Sequence, residues 1–96
     1  MEQKATEVKM QIRAGDAVLA GTYANHLMLH MNHEEFVLDF INVVPPHATL
    51  NSRVDISPGN FKRMLQIMQG SLERYEKEFG TLPPAPQAAP PAEFVQ

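Results

Sequence analysis

The amino-acid sequence predicts an α+β domain: a four-stranded antiparallel sheet followed by one long C-terminal helix. Three observations predict it. Segments with a period of two recur through residues 6–56, and such alternation marks strands with one face turned inward. After Ser57-Pro58 the period lengthens, and Phe61, Met64, Leu65, Met68, Leu72, Tyr75 and Phe79 fall on one helical stripe. Five of the eight prolines then lie between Pro83 and Pro91, where no helix or central strand survives, because proline lacks the N–H and fixes φ. The 96 residues thus divide into a flexible start (1–5), a single sheet-plus-helix domain (6–80) and a flexible proline-rich tail (81–96).

The first strand is expected over Thr6–Arg13, where Val8, Met10 and Ile12 alternate with Glu7, Lys9, Gln11 and Arg13. Gly15-Asp16 breaks it as a turn. Residues 17–31 admit two readings. Asp16 as a cap and a stripe of Ala17, Ala20, Ala24, Leu27/Met28 and Met31 make a helix. Alternation of Tyr23, Asn25, Leu27, Leu29 and Met31 with Ala24, His26, Met28 and His30 makes a strand. Asn32-His33-Glu34 reads as a turn, and residues 35–44 as a strand ended by Pro45-Pro46. Both faces of that strand are largely apolar: Phe36, Leu38 and Phe40 on one, Val37, Ile41 and Val43 beside Asp39 on the other. Such a strand is central, or its second face meets another subunit. Residues 48–56 alternate again. Ser57 as cap and Pro58 at the first helical position open the long helix, Gly70 interrupts it, and Gly80 closes it with Lys77 in the last turn.

The ordered set Tyr23-Ala24-Asn25, residues 35–40, Pro45-Pro46, Ser52-Arg53-Val54, Ser57-Pro58, Lys62-Arg63, Tyr75-Glu76 and Phe79-Gly80 resembles a family of small bacterial proteins. That family is catalogued as domain of unknown function 3467. The resemblance covers roughly residues 6–82 and implies a strand around Tyr23-Ala24-Asn25 and a helix after Ser57-Pro58. It implies no activity and no catalytic residues. A weaker resemblance, of topology and of Gly80-Thr81-Leu82-Pro83, is to the SecB-type export chaperone, whose members form sheet-bearing dimers of dimers and hold unfolded polypeptide.

The residues themselves contain no recognisable catalytic set. Serines 52, 57 and 71 lack a nucleophile–base context, and the five glycines form no phosphate-cradling loop. His26 and His30 share a metal ion only if they lie one turn apart on a helix. On a strand the same spacing is about 13 Å. His33 and His47 sit near turns, and no cysteine or carboxylate completes a ligand set. We therefore expect no catalytic residues, no cofactor and no metal. Asp39, a charge inside an apolar strand, needs a partner if it is buried, and Arg53 on the adjacent strand is placed to supply one; a structural ion pair or an exposed residue is expected there.

Eight Lys/Arg against eleven Asp/Glu leave a net charge of −3, without the basic field that phosphate recognition needs. A sheet-based nucleic-acid binder is thus the lesser alternative. No apolar run is long enough to span a bilayer, no secretory segment is visible, and cysteine is absent, so a cytoplasmic protein is expected. About 75 residues make a marginal core, which a second subunit would complete. The expectation is a non-enzymatic homodimer, or dimer of dimers, that binds protein, with unfolded or extended polypeptide as its client.

Overall fold

The computed structural model describes residues 9–84 and residue 95. Its elements run α1 (Asp16–Ala20), β1 (His26–Met31), β2 (Phe36–Val44), β3 (His47–Ile56) and α2 (Pro58–Phe79). The strands form one antiparallel sheet in the order β1-β2-β3. Among the described residues the fold is therefore a three-stranded sheet with two helices. It is not the expected four-stranded sheet with one C-terminal helix, and the four-stranded topology behind the export-chaperone resemblance is absent with it.

The missing strand is the one expected over Thr6–Arg13. Residues 1–8 lie outside the described residues, and residues 9–13 belong to no element. Met10 and Ile12 are 86% and 93% exposed, so the described part of the alternation is covered by no element among the described residues. Alternation specifies which side chains share a face once a strand is paired; it does not supply the edge to pair with. The expectation of a flexible tail over 81–96 falls, from residue 85 onward and apart from Val95, outside the described residues.

Gly21 divides the ambiguous stretch 17–31. Its φ of 80° and ψ of 176° end α1 after Ala20, and its N–H donates to the Val18 carbonyl. That backbone region is essentially reserved for glycine. The helical reading thus holds for Asp16–Ala20 and the strand reading for His26–Met31. Gly15, rather than Asp16, takes the cap position, and Asp16 becomes a first-turn acid facing the positive end of the helix. Gly21→Ala should cost about 1–3 kcal/mol, because alanine is strained at this φ and ψ. Nothing lies within 4 Å of the added Cβ, so the loss reports backbone strain and not a clash. A fall in the urea midpoint checks it.

Side-chain amides close the sheet where the backbone ladder cannot. The Oδ1 of Asn32 accepts from the N–H groups of Glu34 (2.8 Å) and Glu35 (2.9 Å), which turns β1 into β2. Pro45-Pro46 links β2 to β3. Asn25 extends the β1–β2 ladder by one step: its Nδ2 donates to the Val43 carbonyl (3.0 Å) and its Oδ1 accepts from the Val43 N–H (2.7 Å). The β2–β3 register jumps from Phe40↔Ser52 to Ile41↔Leu50, which leaves Asn51 as a bulge. The freed Asn51 amide donates to the Tyr23 carbonyl (2.6 Å). Since β1 and β3 flank β2 on opposite sides, residues 23–25 cross over the end of β2.

α2 follows β3 after the single residue Ser57. Ser57 occupies the cap position and Pro58 follows it, yet the serine side chain makes no capping hydrogen bond. Pro58 has already removed one of the orphan N–H groups, and the helix start is open to water, which serves the others. At the far end, Gly80 has φ of 100°, and its N–H donates to the Glu76 carbonyl at 2.8 Å. The Leu82 N–H reaches the Glu76 carboxylate, also at 2.8 Å.

Candidate interaction surface

The alternation of β2 builds two unlike faces. Register places Leu27, Leu29 and Met31 of β1 and Ser52, Val54 and Ile56 of β3 beside Phe36, Leu38 and Phe40. This face is apolar at every position but Ser52. Its centre, Leu38, is buried, but its β1 side is not: Leu29 is 46% exposed and Leu27 and Met31 are also bare. Along the opposite face run Met28, Asp39 and Arg53, with His30 beside Val37.

Asp39 is completely buried on that second face. Arg53, directly opposite in the register, donates from Nε to Oδ1 at 2.7 Å and from Nη2 to Oδ2 at 3.0 Å. The pair expected from sequence is thus present in its two-pronged form, which fits the guanidinium fork to a carboxylate. His30 Nε2 lies 3.4 Å from Asp39 Oδ2 on the other side. The arginine hydrogen bonds hold the Asp39 carboxyl below its ordinary pKa against the opposing effect of burial, with a smaller contribution from His30. A buried carboxylate locked in this way stays charged, and its oxygens are engaged by neighbours. The cluster fixes the register of β2 between its flanking strands.

The other histidines do not converge on it. His26 and His30 are both on β1, four residues apart along a strand, and so about 13 Å from each other. His33 lies in the turn between β1 and β2, and His47 begins β3 beside Val44. Among the described residues no group of three or more His, Asp or Glu is placed to hold a metal ion.

The remaining surface belongs to α2. Phe61, in its first turn, stacks on Phe36 with ring centroids 4.0 Å apart and planes 2° from parallel. Beyond that anchor the helix lies along no strand, and none of its residues is buried. The predicted stripe is real but uncovered: Met68 is 58% exposed, and Leu65, Leu72, Tyr75 and Phe79 are bare as well. Tyr75 and Phe79 pack against each other at 5.0 Å. Sequence reading found both apolar surfaces but missed that, beyond the Phe36–Phe61 contact, much of each stays exposed in the single chain. It also missed His30 at the ion pair and the amides of Asn25 and Asn51, whose roles depend on register and on the bulge.

A small sheet followed by an amphipathic helix, with apolar side chains of both exposed and an ion pair on the sheet's other face, defines an α+β protein. The chain belongs to the family described as "Protein of unknown function (DUF3467)", which matches residues 1–83. No curated protein and no solved structure matches it. No helix among the described residues is long and apolar enough to cross a membrane.

Proposed function

We propose that this protein is a non-enzymatic interaction module that works as a homo-oligomer, a dimer or dimer of dimers, and that its client is an extended polypeptide. One observation carries the reading: the apolar face of β1 and the stripe of α2 are both open to solvent in the single chain. Soluble monomers rarely expose large contiguous apolar patches, and such patches mark surfaces that associate. Among the described residues the three-stranded sheet also ends in two unpaired edges, β1 and β3. An unpaired edge offers a row of N–H and C=O groups to which an extended chain adds as a further strand. Side chains at alternate positions then choose the client.

Light scattering at micromolar concentration should give at least twice the 10.8 kDa chain mass. A monomer there overturns the oligomer. For the client, binding of a reduced, unfolded protein should persist between about 50 and 300 mM salt, because backbone pairing and apolar burial are little screened. Single-stranded DNA and RNA are the counter-probes. A nucleic-acid interface loses affinity steeply over that range as counterions compete. Tight, salt-sensitive binding to nucleic acid alone would replace this reading.

A further inference from the structure

The two edges of the sheet are not alike. β3 carries the features that keep a strand edge from pairing: the charged side chains Arg53 and Asp55, a bulge at Asn51, and a proline pair just before its first residue. β1 carries none of them. His26-Leu-Met-Leu-His-Met31 holds no Lys, Arg, Asp, Glu or Pro, and its register with β2 runs unbroken through all six residues. It is also the barer edge: Met31 is 75% exposed and Leu27 and Leu29 are each 46% exposed, against 38% for Val54 in the corresponding row of β3. An edge without charge, proline or bulge is a template for another strand.

The chain also contains a segment with the pattern such an edge takes. In Lys9-Met-Gln-Ile-Arg13 the apolar Met10 and Ile12 alternate with Lys9, Gln11 and Arg13. These residues belong to no element, pair with neither edge of the sheet and leave Met10 and Ile12 bare. Laid along β1, the segment sets Met10 and Ile12 beside Leu27, Leu29 and Met31 on the apolar face, and Lys9, Gln11 and Arg13 beside His26, Met28 and His30 on the other. Its own β1 is the far edge. The Asn51 side chain of β3 holds the Tyr23 carbonyl, and Asn25 is bound to Val43 of β2, so the chain arrives at β1 from the β3 side, across the end of β2. To reach that edge, residues 9–13 would have to recross the same end over residues 23–25, and connections at one end of a sheet do not cross each other. A second copy offers the same β1 edge without that obstacle, and a two-fold axis makes the exchange reciprocal.

We infer that residues 9–13 of one copy add as a fourth strand to the β1 edge of a second copy, and reciprocally. This rests on the homo-oligomer proposed above and names one of its contacts. The alternation of residues 9–13 then finds its sheet in the partner and not within the chain. Of the two edges open to a client, the exchange takes β1 and leaves β3.

The test mixes methyl-labelled and unlabelled 96-residue chains, refolds them together and records isotope-filtered NOEs, with the mass of the sample measured in parallel. The expected result is an assembly in which the methyls of Met10 and Ile12 in one chain contact those of Leu27, Leu29 and Met31 in the other. An assembly in which Met10 and Ile12 contact β1 of their own chain, β3 of either chain, or no strand at all overturns the exchange and leaves the homo-oligomer standing. A monomeric mass overturns both.

Discussion

Leu72→Glu should convert the assembled protein to single chains at concentrations where the unaltered protein is fully associated. Within one chain Leu72 is exposed and touches no core, so the substitution alone should change the stability of the fold by no more than about 0.5 kcal/mol. Against a partner's apolar surface the same glutamate becomes a desolvated charge opposite apolar side chains. That costs about 2 kcal/mol or more, and a two-fold interface carries it twice. The dissociation constant should rise roughly 1,000-fold. Gln66→Glu is the control. It introduces the same charge on α2 about 120° around the helix from Leu72 and should leave the mass unchanged. Sedimentation of both variants reads the result. Dissociation by both, or by neither, would remove the α2 stripe from the interface.

The parts of the fold that sequence disclosed are those whose ends are punctuated. β2, β3 and α2 stand within a residue or so of their expected bounds, because proline pairs and the Ser57-Pro58 junction punctuate clear periods. Residues 17–31 could not be resolved by pattern, since one glycine in a glycine-specific conformation splits a helix from a strand inside the window that periodicity averages over. The strand expected over residues 6–13 failed for a different reason: its alternation is sound, but its described part, residues 9–13, pairs with neither edge of the sheet. The same distinction governs the site. Asp39 and Arg53 were legible because a charge in an apolar strand demands a neighbour, and adjacent strands supply few. His30, Asn25 and Asn51 were not, because a hairpin register and a bulge decide where they point. An apolar stripe, likewise, indicates that a helix will be covered without indicating by which chain.

The second large effect concerns the buried carboxylate and its dependence on pH. Asp39→Asn keeps the shape but removes the charge and sets an amide N–H against the Arg53 guanidinium. Charge-assisted hydrogen bonds to a buried acceptor contribute about 2 kcal/mol in such settings, and that is the expected loss near neutral pH. Arg53→Met should be worse than Asp39→Asn, because it strips the arginine from a carboxylate that remains buried, whereas Asp39→Asn leaves behind a half-exposed guanidinium that water can serve. The pH dependence follows from the direction of the shift. The folded protein holds Asp39 below its ordinary value of 3.8, chiefly through the Arg53 hydrogen bonds, while the unfolded chain returns it to that value. A depressed carboxyl stabilises the fold fully above the unfolded pKa and loses that contribution as pH falls through the folded one. The gap in urea midpoint between the unaltered protein and Asp39→Asn should therefore be constant from about pH 7 to pH 5 and shrink below about pH 4. A gap that persists undiminished to about pH 2, or an Arg53→Met variant as stable as Asp39→Asn, would mean that the pair does not hold β2 in its register.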